Sequence, residues 1–237
     1  QESILPSQEM IQRLVPDSFV LYKPKDIVSG DFYWFEKSKN KVLFASVDCT
    51  GHGVPGAFMS LVGSNGLNAA VKEHKLEQPA EILGDLHRQA RATLNQDSKE
   101  GSMRDGMDLA LCSLDIDKML LEYAGAYNPL YLVRNGEILQ TKADKFPIGG
   151  EDDKRQFTNH TIQLEKGDSI YVFSDGFADQ FIGEKGKKFM YSRFRELLVE
   201  IQPKSMSEQE KVLDSTIEGW KVNYEQVDDI LVIGVRV

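Results

Sequence analysis

The sequence predicts a single α+β or α/β domain, and three observations carry that expectation. Its 237 residues can bury a sizeable core, and no Pro/Gly/Ser-rich linker divides them. Short apolar runs rich in β-branched and aromatic residues recur between turn residues, four of them in meander spacing from Met107 to Thr141. Other stretches have helical spacing, such as Val54, Ala57, Phe58, Leu61 and Val62.

Composition narrows the class of function. With 41% hydrophobic and 27% charged residues, the chain has the profile of a soluble globular protein rather than a disordered one. Against 37 Asp and Glu stand 28 Lys and Arg, for a net charge of −9, a balance that repels nucleic acid and anionic membranes. The two cysteines, Cys49 and Cys112, lie in apolar strand-like surroundings without metal-type spacing, which fits buried free thiols in a reducing compartment. No apolar run reaches the roughly 20 residues of a membrane span. A cytoplasmic location is therefore expected, with any membrane anchor lying upstream of this stretch.

From the N-terminus, Ile4, Leu5, Met10, Ile11, Leu14 and Val15 form an apolar pattern interrupted by Pro6. A helix entering from upstream should end there, with a short one restarting at Ser7 and closed by Pro16. Residues 1–16 are thus expected to be a linker or switch helix, and 17–237 the main domain. Ser18 to Tyr22 and Phe32 to Glu36 read as strands, with Val28-Ser29-Gly30-Asp31 between them. The apolar run Val42 to Val47 ends at Asp48, turns through Gly51-His52-Gly53 and opens with Pro55 into a helix. A second helix is predicted from about Pro79 to Leu94, then a polar loop expected to be mobile over 95–104.

Strands follow at Met107–Ile116, Met119–Ala124, Leu130–Arg134 and Glu137–Thr141, the last two joined by an Asn135-Gly136 hairpin turn. Phe157–Leu164 and Ser169–Phe173 are further strands, the latter ending in Ser174-Asp175-Gly176. A basic, glycine-punctuated loop over 183–188 precedes helices at about Ser192–Ile201 and Ser207–Trp220. Asp228-Asp229 then lead into the β-branched run Ile230–Val237, suited to a central strand.

Asp31, Asp48, Asp175 and Asp228 all stand at ends of apolar strands, beside glycine or another acid. A carboxylate there is costly unless paired or bound to a cation, and no Lys or Arg adjoins Asp48 or Asp175. Oxygen-only ligation favours Mg²⁺ or Mn²⁺ before Ca²⁺, and the few Cys and His argue against zinc. Two such ions would suit phosphoryl hydrolysis without a protein nucleophile. The plainer alternative, that each acid merely caps a turn, suffices for any one Asp-Gly pair.

Taken together and in this order, Val28-Ser29-Gly30-Asp31-Phe32-Tyr33, Val47-Asp48-Cys49-Thr50-Gly51-His52-Gly53, Phe173-Ser174-Asp175-Gly176 and Val227-Asp228-Asp229-Ile230 resemble the metal-dependent 2C-like (PPM) protein phosphatases. Within that superfamily they are similar to the bacterial branch named for stage II sporulation protein E and the stress phosphatases that control sigma factors. The resemblance spans nearly the whole chain and implies an α-β-β-α sandwich of two mostly antiparallel sheets. It also implies hydrolysis of phosphoserine or phosphothreonine on a protein by metal-activated water, with two Mn²⁺ or Mg²⁺ ions and a third if Asp108 also ligates.

By position, the resemblance implies that Asp48 bridges the metals and that the Cys49 carbonyl, Asp31, Asp175 and Asp228 complete the shells, with Asp229 in support. Asp108 stands where the sporulation phosphatase carries an acid, and a hydrogen-bonded core acid is the equal alternative. His52 would suit protonation of the leaving oxygen, although a structural role in a glycine turn explains it too. The phosphate-gripping arginine of eukaryotic relatives has no counterpart before Asp31. Where relatives often read Ala-Gly-His-Asn-Pro, this chain has Ala124-Gly125-Ala126-Tyr127-Asn128-Pro129.

Lys185, Lys187, Lys188, Arg193 and Arg195 fall in the family's flap region and could receive an acidic, phosphorylated domain, or simply form a solvated face. The partner implied is a phosphorylated regulator, a STAS-type anti-sigma factor antagonist, with an upstream sensory domain and homodimerisation as further expectations. Two rivals stand beside this reading. One is a catalytically weak or inactive binding module that titrates a regulatory partner, and the other is a phosphoesterase acting on small molecules.

Overall fold

A computed structural model describes residues 4–51, 53–94, 106–150, 155–182, 186–222 and 224–237. Two five-stranded antiparallel sheets lie face to face. One contains β2 (Phe32–Ser38), β3 (Lys41–Cys49), β4 (Met107–Asp115), β5 (Leu120–Ala126) and β8 (His160–Gln163), in that spatial order. The other runs β1 (Ser18–Lys23), β12 (Ile230–Arg236), β9 (Ser169–Phe173), β6 (Leu130–Arg134) and β7 (Glu137–Thr141). A two-stranded ribbon, β10 (Phe181–Ile182) and β11 (Lys187–Lys188), stands apart.

Alternation along the strands builds the layers. In β3, Val42 and Phe44 face the other sheet, joining Ala110, Cys112, Val172 and Ile233 in the inter-sheet core. Leu43, Ala45 and Val47 face outward, under α2 (Gly53–Asn68) and α3 (Pro79–Thr93), where they meet Met59, Leu67, Ile82 and Leu86. On the opposite flank, Phe173 and Val232 pack beneath α5 (Tyr191–Ile201) and α6 (Met206–Lys221) with Phe194, Leu198 and Leu213. The result is the four-layer α-β-β-α sandwich.

Several local expectations hold for visible reasons. Ser7 caps α1 (Gln8–Leu14) by accepting the Met10 N–H at 3.2 Å, and Ile11 and Val15 are buried in the inter-sheet core. Asn135 and Gly136 both take positive φ, +52° and +78°, as a tight hairpin with right-handed strand twist requires.

Other elements differ. The four strands in meander spacing divide between the sheets: β4 and β5 stay in one, and the chain crosses at residues 127–129 to start β6 in the other. β8 is shorter than the predicted Phe157–Leu164 strand, because Phe157 turns away to pack on His87 and Phe146. After α2 the helix loosens into a π turn over Ala69–Glu73, and after β9 a four-residue helix, α4 (Gly176–Asp179), appears. The predicted loop over 95–104 lies outside the described residues. None of the described helices is long and apolar enough to cross a membrane.

Candidate metal centre

The register that builds the sheets also gathers the acids. Asp48 continues the inward-facing set of β3 and pairs directly with Asp108 on β4. Phe32 pairs with Val47, so Asp31, one residue earlier, stands across from Asp48 on the other side. In the second sheet, Phe173 pairs with Val232, which brings the end of β9 beside the start of β12. Asp175 and Asp228 therefore emerge at the same end of the sandwich as Asp31, Asp48 and Asp108.

The two sheet ends meet at this point. The Asp175 backbone N–H faces the Asp48 carboxylate and the Ser174 hydroxyl faces Asp31, each favouring the ionised acid. Ser174 is itself fixed by β12: its N–H donates to the Leu231 carbonyl at 3.0 Å, and its Oγ accepts the Leu231 N–H at 3.1 Å. Tyr22 donates its hydroxyl to the Asp31 carbonyl at 3.0 Å. Asp229, only 2% exposed, accepts the Lys25 N–H at 2.7 Å and the Gly30 N–H at 2.8 Å. With both oxygens so used, it shapes the loop that presents Asp31. Asp228 accepts the N–H of Asp229 at 2.9 Å and remains exposed.

Close backbone packing holds the turn after β3. A Cβ on Gly56 would lie 2.2 Å from the Gly51 carbonyl oxygen and 2.8 Å from Gly30 Cα. One on Gly30 would lie 2.4 Å from that same oxygen and 3.0 Å from the Cys49 carbonyl oxygen. Only glycine permits this approach of α2 to the 30–31 and 49–51 backbones.

The electrostatics point to a cation. Burial pushes the Asp48 carboxyl well above the usual range, and the charges of Asp175, Asp108 and Asp228 add to it. Asp31 is raised likewise by burial and then by Asp48, against the Ser174 hydroxyl. Burial and Asp175 push Asp108 up to about 7, and burial with Asp228 and Asp179 pushes Asp175 up to about 6, Lys188 opposing. Among the described residues no Lys or Arg forms an ion pair with Asp31, Asp48, Asp108 or Asp175.

Asp31 Oδ2 is buried with no hydrogen-bond partner. An orphaned carboxylate oxygen beside like charges is the environment that a hard divalent ion relieves, and carboxylate and carbonyl oxygens are its preferred donors. The donor chemistry thus fits such an ion, although among the described residues no three His, Cys, Asp or Glu stand close enough together to hold one as they are. The Cys49 thiol is buried and raised well above its ordinary value by burial and the surrounding carboxylates, so it is not a nucleophile.

The other sequence-derived candidates scatter. His52 and Lys185 lie outside the described residues. Lys187 stands in β11; Lys188 beside it pairs with Asp179 at 2.7 Å and lies over the Phe181 ring. Arg193 stacks on Trp220 at 4.7 Å, and Arg195 lies near Tyr131, so these cations are not one free patch. Ser174 and Tyr22 are not among the site residues that the sequence points to. A small hydroxyl residue between an apolar strand and its terminal acid was the available signal for Ser174.

Comparison with known proteins bears on the same architecture. Residues 38–237 match the stage II sporulation protein E (SpoIIE) family. Over 156 residues the chain is 28% identical to the phosphoserine phosphatase RsbU of Bacillus subtilis, covering 65% of this chain and 44% of that protein. It thus spans less than half the length of this curated relative. The SiaA-PP2C domain of Pseudomonas aeruginosa superposes with a TM-score of 0.90 at 31% identity, covering 100% of this chain and 92% of that one. The phosphatase domain of SpoIIE from Bacillus subtilis, at 18% identity and a TM-score of 0.73, covers 93% of this chain and 61% of that one, and shares the fold.

Proposed function

The chain belongs to the stage II sporulation protein E family, and on that premise we propose that it is a metal-dependent phosphatase hydrolysing phosphoserine or phosphothreonine on a regulatory protein. The observation that carries this reading is the grouping of acids from both sheets at one end of the sandwich, with Asp31 Oδ2 buried and unpartnered. In this reading Asp31, Asp48, Asp175, Asp228 and the Cys49 carbonyl would hold two ions, Mn²⁺ or Mg²⁺, with Asp108 available to a third. Such ions, when bound, neutralise charge on the phosphoryl group and lower the pKa of a coordinated water.

The protein's own part is positional. Ser174 and the Asp175 N–H favour ionised Asp31 and Asp48 where the two sheets meet, while Asp229 fixes the loop before Asp31. His52 is the side chain we assign to protonating the leaving serine oxygen, since histidine is the residue type suited to proton transfer near neutral pH. Lys185, Lys187, Lys188 and Arg193 would receive the phosphorylated partner, with Lys187 and Arg193 both exposed.

For the substrate we propose a STAS-type anti-sigma factor antagonist in the cytoplasm. The likeness to RsbU, named a phosphoserine phosphatase, supports a phosphoserine substrate. The test is incubation of the purified domain and Mn²⁺ with a phosphorylated STAS protein, read by intact mass. Loss of one phosphate supports the reading; a stable complex that keeps its phosphate would favour the rival binding module.

A further inference from the structure

The turn from β5 to β6 carries a residue that packing does not explain. Tyr127 takes φ +57°, a conformation that a bulky side chain seldom adopts, and it is 50% exposed. The backbone is held there firmly. The Tyr127 N–H donates to the Asp144 carbonyl at 2.8 Å and the Asn128 N–H to Ala126 at 2.7 Å, while the Tyr123 hydroxyl donates to the Asn128 carbonyl at 2.6 Å. Glycine or asparagine would meet this geometry at lower cost. Among the described residues the Tyr127 ring has no aromatic partner and its hydroxyl no hydrogen-bond partner.

Its place in the sheet suggests what the side chain is for. β5 ends at Ala126, which pairs with Leu109, the residue after Asp108, so Tyr127 leaves the sheet beside the end of β4 that carries Asp108. Asp108 pairs with Asp48, and Asp48 is across from Asp31. Asp31, Asp48 and Asp108 thus form a line across the end of the sheet, and the turn that carries Tyr127 adjoins its last member. Two strand spacings separate the backbones of Tyr127 and Asp48, about 10 Å, a span that an extended peptide covers in about three residues.

We propose that Tyr127 is a specificity residue that contacts the polypeptide flanking the phosphoserine of the substrate. The proposal rests on the phosphatase reading above. A phosphoryl group seated among the acids would place the neighbouring substrate backbone and side chains along this line. An exposed ring with a polar tip offers them an apolar surface and a hydroxyl together. Local strain retained at a rim position, with no packing return, is the expected signature of a residue kept for contact with a ligand.

The test compares wild type, Tyr127→Gly and Tyr127→Phe with Mn²⁺, measuring kcat and KM on a phosphoserine peptide and on p-nitrophenyl phosphate, with melting temperature alongside. For Tyr127→Gly the ratio of kcat/KM on peptide to that on p-nitrophenyl phosphate should fall about tenfold, mainly through KM for the peptide. Its melting temperature should be no lower, and Tyr127→Phe should keep most of the ratio. An unchanged ratio, or an equal loss on both substrates with a lower melting temperature, would overturn the proposal. A wild type that cleaves neither substrate would instead remove the phosphatase reading and this proposal with it.

Discussion

The backbone N–H of Asp175 faces the carboxylate of Asp48 and favours its charge, so the end of β9 in one sheet meets the end of β3 in the other at this acid. Asp31, Asp48, Asp108 and Asp175 are each raised by burial and by neighbouring charges, which makes the cation-free cluster a source of instability. Asp48→Asn keeps the shape and removes one charge. Calorimetry of the chelated domain should show a higher melting temperature for Asp48→Asn than for wild type. Its Mn²⁺-supported hydrolysis should fall by more than the roughly 10- to 100-fold seen when a partner behind a ligand is removed.

Ser174 is such a partner. Ser174→Ala removes the hydroxyl that favours an ionised Asp31 and leaves the Leu231 N–H without its acceptor. Activity should drop about 10- to 100-fold, with the Mn²⁺ concentration for half-maximal rate shifted upward. Denaturant unfolding should record a loss of about 1–3 kcal/mol.

Gly56→Ala should be far more damaging than its one added methyl suggests. The new Cβ meets backbone at 2.2 Å and 2.8 Å, which cannot swing aside as a flexible side chain would. The expected cost lies at the upper end of about 1–3 kcal/mol for overpacking, with weakened Mn²⁺ activation because the Cys49 to Gly51 backbone must shift. Gly219→Ala in α6 is the control: its Cβ meets nothing within 4 Å, and helix propensity should make it stabilising by about 0.5–1 kcal/mol.

The same acids set a pH dependence. A carboxyl whose folded pKa is raised takes up protons on folding, so its contribution is most favourable below the unfolded value and is lost as pH rises through the folded one. With Asp175 at about 6 and Asp108 at about 7, the chelated domain should lose stability between about pH 4 and pH 7. Saturating Mg²⁺ should flatten that slope, since ligated carboxylates stay ionised. Melting temperatures across pH, with and without the cation, check both statements.

Much of this was legible in the sequence because its causes are local. The apolar run into Asp48, the glycines after it and the Asn135-Gly136 turn each announce their geometry within a few residues. The assignment of strands to sheets was not legible: spacing marks β4 through β7 as strands but does not tell β5 from β6 as neighbours, and the chain changes sheet at Tyr127. Ser174 and Asp31 are far apart in sequence, and only the finished sandwich brings them together. The basic run after Asp175 reads as one cluster, yet folding turns Lys188 to Asp179 and Arg193 to Trp220.

The most direct test of the central claim is hydrolysis of p-nitrophenyl phosphate by the purified domain with Mn²⁺, with Mg²⁺ and with chelator, for wild type, Asp48→Ala and Asp175→Ala. The account predicts cation-dependent turnover in wild type, abolished by chelator and by either substitution. Turnover that survives chelator, or that persists in Asp48→Ala at the wild-type rate, would contradict a metal centre built on these acids.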